Sequence, residues 1–262
     1  MYIEQTNSTN TLIKEQYTDR EHLFFVRTGY QTAGRGQSGN GWEAEKDKNI
    51  LISVLLKDIR TEPSRQFAIS LSVALAVRDM LAEQIAAAGL DTSRLTIKWP
   101  NDIYYDDKKI CGILIETALA GNKIEYAIAG IGVNINQTEW VGNAPNPTSL
   151  RLITEQEYNI ERLSDRLIER IGIRTEKAGE AEQKAEYMNC LYRREGWHWY
   201  KKREVSLTPT MPAKQSEIGR YIADGTAFEG KIEDVTEQGE IRIKHRDGDT
   251  RIYHFKEIQY II

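Results

Sequence analysis

Apolar and polar positions along the chain follow two rhythms. Residues 23–28 (Leu-Phe-Phe-Val-Arg-Thr) and Asn49 to Leu56 are short apolar runs bounded by polar or glycine-rich segments, the pattern of buried strands. From Pro63 to Gly89 the rhythm is helical: Phe67, Leu71, Leu75 and Val77 fall near one face, Pro63 suits a first turn and Gly89 a stop. Segments 94–99, 110–117 and 124–133 predict three more strands, with turns at Asp106-Asp107 and Gly121-Asn122. Ile160, Leu163, Leu167 and Ile171 repeat at helix spacing over 160–171, and another helix is expected over about 180–194. After Trp197-His198-Trp199-Tyr200 the runs shorten. Glu204–Leu207, Gly225–Val235, Gly239–Lys244 and Arg251–Phe255 alternate between glycine and aspartate turns, as in a small all-β barrel. A domain boundary near residue 200 is expected, dividing the chain into 1–200 and 201–262.

Composition narrows the function classes. With 262 residues, 40% hydrophobic and 28% charged, and six prolines, the chain is of globular type. A net charge of −4 lacks the overall basic footprint of a nucleic-acid binder, and the last 62 residues carry eleven basic and eleven acidic side chains. Met1 to Gln16 is polar, and no window approaches the ~20 apolar residues of a spanning helix, so a cytoplasmic protein without nucleic-acid or membrane partners is expected. Cys111 and Cys190 lie far apart and indicate neither a disulfide framework nor a zinc site. The four histidines fall outside every motif.

The richest segment is Gly34-Arg35-Gly36-Gln37-Ser38-Gly39-Asn40-Gly41-Trp42. It matches G-x-G-x-x-G after a strand, but no helix follows to hold a pyrophosphate. Asn40-Gly41 replaces the Lys and Ser/Thr of a P-loop, and Gly39 comes one position too early after Ser38 for a nucleophile elbow. What remains is a loop able to close over an anion, with backbone N–H groups and Arg35 meeting the charge and Trp42 packing at the hinge. An ordinary glycine-rich surface turn fits the loop taken alone equally well.

Four segments accompany it: Ser8-Thr9-Asn10, Lys98-Trp99-Pro100-Asn101-Asp102, Lys109-Ile110-Cys111-Gly112-Ile113-Leu114-Ile115-Glu116 and Gly130-Ile131-Gly132-Val133-Asn134-Ile135-Asn136. In this order and spacing the five resemble the biotin protein ligases, whose pattern reads S-T-N, G-R-G-x-x-G-x-x-W, K-W-P-N-D, K-x-x-G-I-L-x-E and G-x-G-x-N. Pro147-Thr148-Ser149-Leu150 resembles a further family segment. The resemblance implies an α+β fold, a mixed sheet flanked by helices like that of class II aminoacyl-tRNA synthetases, with an SH3-like tail. It also implies activation of biotin by MgATP to biotinyl-5′-AMP, then transfer to a lysine of a biotin carboxyl carrier domain.

Elementary electrostatics fits that chemistry. A carboxylate brought to ~4 Å from an α-phosphate is repelled by ~4 kcal/mol at an effective dielectric of ~20. One fixed cation is needed, preferably two: a guanidinium grips oxygens bidentately and an ammonium supplies a point charge. The resemblance makes these Arg35 and Lys109, the catalytic pair. Plain strand alternation puts Lys108 rather than Lys109 on the face of Gly112 and Leu114, so the motif requires a bulge or a strand start at Lys109. Gly130 and Gly132, two apart on one strand face, leave a bare patch for a flat ring or for a close-packed helix. By resemblance the patch faces biotin, with Ser8, Thr9, Asn10, Gln31, Gly34, Arg35, Gly36, Lys109, Gly112 and Leu114 completing the pocket. Ser8-Thr9 reads equally as a helix N-cap for 9–17. Arg35, Gln37, Trp42, Asn101, Asp102 and Asn134 are the implied nucleotide-side residues, Asp102 organising Lys98 or Mg²⁺, though Asn101-Asp102 also reads as a turn cap. No metal site fixed by protein alone is expected.

The chain departs from the family where many members carry arginine at the positions of Gln37 and Asn40, which puts tight retention of the adenylate in doubt. Ser8 leaves no room for a preceding DNA-binding domain, so repression is not expected. A lipoate or octanoate ligase and a non-catalytic biotin sensor are the rival readings; homodimerisation is common in the family.

Overall fold

A computed structural model describes residues 1–37, 40–59, 61–142, 146–202 and 226–262. The expected strand at 204–207, residue 225, and Ser38-Gly39 of the glycine loop lie outside the described residues. Packing divides the chain into two units, Met1–Tyr192 and Arg193–Ile262.

The first unit is α+β. Its seven-stranded sheet runs in the order β1-β2-β3-β7-β6-β5-β4, formed by Tyr2–Thr6, Phe25–Gln31, Ile50–Leu56, Lys123–Val133, Lys108–Ala120, Asp102–Tyr105 and Leu95–Lys98 respectively. Only β1 and β2 are parallel; every other neighbour is antiparallel, so the sheet is mixed. Every residue of β3 is buried, which requires both sheet faces to be covered. Helix α1 (Thr9–Gln16) covers one face, where Ile13 packs with Val26, Leu55 and Ile128. Against the other pack α2 (Phe67–Ala87) and α4 (Ile160–Glu176), α4 touching β3 and α2 the strands β4 to β6. Each fully buried aliphatic side chain contributes on the order of 1.5–3 kcal/mol.

Helix α2 is buried all round from Leu71 to Val77, not along one face as its sequence suggests, because α4 and α5 (Ala181–Asn189) pack on it as well as the sheet. Gly89 ends it as expected, at φ +74°, where the N–H of Leu90 reaches back to Ile85. The turns at Asp106 and Gly121 are also present, both at positive φ. The sequence pattern does not predict β1, β5 or the short helix α3 (Leu150–Thr154), nor, in the second unit, the strands His198–Lys202 and Ile258–Tyr260. No helix among the described residues is long and apolar enough to cross a membrane.

The second unit is a five-stranded antiparallel sheet, order β11-β10-β9-β8-β12, from Thr250–Tyr253, Ile241–His245, Ala227–Val235, His198–Lys202 and Ile258–Tyr260. Burial alternates strictly along β10, with Ile241, Ile243 and His245 inward. On that side Phe228 stacks on His245 at 4.4 Å and on Tyr200 at 5.6 Å between ring centroids.

Candidate functional site

Between β2 and β3 the two described arms of the glycine loop, Gly34–Gly36 and Asn40–Trp42, pair with one another. Trp42 N–H donates to the Gly34 carbonyl at 2.9 Å and Gly36 N–H to the Asn40 carbonyl at 2.7 Å, with Arg35 bridged to Gly41 between them. A methyl group on Gly34 would lie 2.7 Å from the Trp42 carbonyl, so a bare backbone is needed to close the loop. Its outgoing stem is pinned by groups that the motifs did not reveal. Glu43 accepts the N–H groups of Val141 and Gly142 at 2.8 and 3.0 Å, and buried Gln137 accepts from Glu45 N–H and the Asn49 amide at 2.9 and 2.5 Å.

Beneath the loop lies a floor of glycines. Gly112 pairs with Gly132 and Leu114 with Gly130 across β6 and β7, placing these four residues on the face that carries α1. An added Cβ on Gly132 would stand 2.4 Å from the Trp42 indole, one on Gly112 would stand 2.8 Å from it, and one on Gly130 would stand 2.3 Å from the Asn10 amide oxygen. The floor is thus covered by two polar-tipped planar groups, an indole and a carboxamide. The indole Nε1 of Trp42 is buried with no hydrogen-bond partner among the described residues.

Lys109 reaches this floor through a bulge. Along the β5–β6 ladder Ile103 faces Cys111 but Tyr104 faces Lys109, so Ile110 is the extra residue. The bulge moves Lys109 onto the face of Gly112, while Lys108 stays exposed. Lys109 Nζ lies 3.3 Å from the Cβ position of Gly112 and 5.6 Å from the centre of the Trp42 ring, and it pairs with Asp102 at 2.7 Å. Asp102, expected beside Lys98 or Mg²⁺, therefore has Lys109 as an ion-pair partner; Lys98 donates to the Tyr104 hydroxyl at 3.1 Å. Burial, with Asp102 nearby, pushes the Tyr104 phenol well above its ordinary range, so it remains a neutral acceptor for Lys98.

Arg35 lies at the other end of the floor. Its Nη2 meets Glu116 Oε2 at 3.0 Å, and the same oxygen accepts from Asn10 Nδ2 at 2.8 Å. Two strand residues separate Gly112, Leu114 and Glu116 on one face, so Glu116 is about 13 Å along β6 from Gly112. Asn10 and Thr9 are fixed by Ser53, buried in β3, whose hydroxyl lies 2.5 Å from Asn10 Oδ1 and 2.6 Å from Thr9 Oγ1. Gln31 Oε1 accepts from Thr9 N–H at 2.9 Å and from Thr9 Oγ1 at 3.2 Å, and its Nε2 lies 3.3 Å from the Cβ position of Gly34. Ser8 occupies the N-cap position of α1 with extended backbone, but its side chain makes no cap bond.

Asn101 and Asn134 are buried behind this face. The Asn101 amide donates to the Ile113 carbonyl, and that of Asn134 to Thr148 at 2.9 Å, so both brace the backbone beside β6 and β7. Asn134 Oδ1 and Gln37 Oε1 are buried without a hydrogen-bond partner among the described residues, a costly state that a bound donor would relieve. Among the described residues no three His, Cys, Asp or Glu side chains cluster as a metal site. Of the groups in this network, Ser53 and Glu116 were not assigned a role from sequence, although a lone serine in the run Ile-Leu-Ile-Ser-Val-Leu-Leu is a visible signal.

A model described as the biotin/lipoate A/B protein ligase family matches residues 2–134. The chain is similar to the biotin–[acetyl-CoA-carboxylase] ligase of Mycobacterium tuberculosis, 32% identical over 174 residues covering 66% of this chain and 62% of that protein. It is also similar to the bifunctional ligase/repressor of Bacillus subtilis, 38% identical over 108 residues covering 41% of this chain and 31% of that one. The chain therefore spans less than two thirds of these relatives' length. Among solved structures, biotin protein ligase from Aquifex aeolicus in complex with biotin and ATP superposes with a TM-score of 0.73 at 21% identity, covering 100% of this chain and 98% of that one. The Leishmania major ligase in complex with biotinyl-5-AMP gives 0.62 at 21% identity, covering 97% of each chain.

Proposed function

The chain belongs to the biotin/lipoate A/B protein ligase family, and from that premise we propose that it is a biotin protein ligase. It activates biotin with ATP as biotinyl-5′-AMP, releasing pyrophosphate, and transfers the biotinyl group to a lysine of a carboxyl carrier domain. The observation that carries this reading is the bulge at Ile110. It sets a lysine ammonium on the face of the paired glycines Gly112 and Gly132, a bare floor on which a planar group, here the Trp42 indole, lies flush.

The floor has two chemically distinct ends. Thr9, Asn10 and Gln31, backed by Ser53, form a hydrogen-bonded wall beside Gly130 and Leu114, suited to the polar head of biotin. Lys109 and Trp42, with the unpartnered Gln37 and Asn134 oxygens, mark the nucleotide end. A carboxylate attacking an α-phosphate builds negative charge in a closing site; Lys109 and Arg35 offset it, and the glycine loop keeps water from the mixed anhydride. The carrier lysine then attacks the acyl carbon as an amine and AMP leaves. Mg²⁺ would come with the ATP phosphates, since Asp102 is engaged by Lys109 and no protein-held cluster of ligands stands beside it among the described residues.

The test is the intact mass of a biotin carboxyl carrier domain incubated with this protein, ATP and either biotin or lipoate. One biotinyl group added in the biotin arm is expected. Addition only in the lipoate arm establishes the lipoate ligase instead, and ligand binding without any addition establishes a sensor.

A further inference from the structure

Glu116 has no task in the two steps above, yet its carboxylate joins Asn10 of α1 to Arg35 of the glycine loop. Through one oxygen it accepts from the Asn10 amide at 2.8 Å and from the Arg35 guanidinium at 3.0 Å. Asn10 is fixed from behind by Ser53 and sits against Gly130, so it has little freedom to move. Arg35 rides on the glycine loop, and its side chain is 45% exposed against 25% for Glu116. The same anion therefore sets a wall residue of α1 and tethers the more exposed Arg35 cation to the sheet.

A guanidinium committed to a carboxylate of the protein is not free to meet a ligand's phosphate. We propose that Glu116 is a positioning residue that stands in for the ligand's anion. It holds Arg35 until the adenylate phosphate takes its place, and it holds Asn10 throughout. This inference rests on the biotin ligase reading. It differs from a merely structural role in its sign, because loss of the Glu116 charge removes a competitor for Arg35 and so strengthens binding of the anionic ligand.

The probes are biotin and biotinol-5′-AMP, the phosphodiester analogue of the adenylate, measured by calorimetry on the whole chain. In Glu116→Gln the Asn10 amide keeps an acceptor while Arg35 loses its charged partner. The analogue should bind about two- to five-fold tighter, the range of a half-exposed ion pair, with biotin affinity unchanged. Glu116→Ala also strips Asn10 of its acceptor, so biotin should bind about three-fold or more weakly, while the analogue gains relative to biotin. If wild type binds both ligands and Glu116→Gln binds the analogue no tighter, the anion-exchange role is overturned and the ligase reading, which the carrier-mass test decides, is untouched. If wild type binds neither, both fall.

Discussion

At the scale of single residues, the two neighbouring lysines separate by register alone. Lys109 faces Gly112 and Trp42, while Lys108 stands exposed one residue earlier. Lys109→Ala should lower the rate of adenylate formation by about 10²–10³, as loss of one preorganised charge-stabilising donor does, while Lys108→Ala should leave it near wild type. Pyrophosphate release measured for both variants checks this, and the reverse order would move the site to the other face. Gln37 is a second such position, because its Oε1 is buried without a partner among the described residues. Replacing this neutral amide by arginine should slow adenylate escape by about five-fold, since a charge-assisted contact to phosphate is roughly twice as strong as a neutral one. Equal release rates from wild type and Gln37→Arg would show that the side chain never meets the phosphate.

At the scale of elements, the glycine floor separates packing from ligand binding. The added methyl of Gly130→Ala would meet an Asn10 carboxamide held by Ser53 and Glu116, which cannot retreat without breaking hydrogen bonds. That variant should lose about 1–3 kcal/mol of stability as well as biotin affinity. Gly132→Ala meets the indole of Trp42, a side chain whose Nε1 has no hydrogen-bond partner among the described residues to lose. It should unfold near the wild-type temperature yet bind ligand poorly, and thermal unfolding alongside calorimetry separates the two outcomes. The strands bearing this floor were legible because β3, β6 and β7 are apolar runs with turns at Asp106 and Gly121. Strand β1 was not: Tyr-Ile-Glu-Gln-Thr is an edge strand with mostly exposed side chains, so it carries no hydrophobic period. Strand β5 is only Asp-Ile-Tyr-Tyr after Pro100, too short for alternation to register, and without it the bulge that seats Lys109 has no partner strand to be read against. The bulge puts Lys109 on the face of Gly112, where plain alternation puts Lys108.

At the scale of the whole molecule, the chain's two units carry different kinds of charge. The first is laced by ion pairs of guanidiniums with carboxylates: Arg174 with Asp79 and Glu186, and Arg166 with Glu83, join α2, α4 and α5. The Arg166 guanidinium beside Glu83 holds its carboxyl below the ordinary carboxylate range. The second unit holds a histidine in its core. His245 stacks on Phe228 and its Nε2 lies 2.6 Å from the Tyr253 hydroxyl, an arrangement in which a neutral ring accepts the phenolic proton. Burial lowers the His245 pKa below its ordinary value, with Arg251 and Lys202 acting in the same direction and Asp247 and Asp249 opposing. The unfolded chain then takes up a proton near pH 6.5 while the folded one resists, so unfolding becomes easier as pH falls through that value toward the lowered folded pKa. Stability contributed by His245 is fully present above about pH 7 and declines below it. Hydrogen exchange should therefore report weaker protection of β9 and β10 amides at pH 5.5 than at pH 7.5 after correction for intrinsic rates, with β3 and β7 unchanged by this group. In His245→Phe the stack on Phe228 is kept and the proton site is gone, so the pH-dependent part of the loss should vanish even if the variant is less stable throughout. An undiminished pH slope in that variant would assign the acid sensitivity of this unit to its surface carboxylates instead.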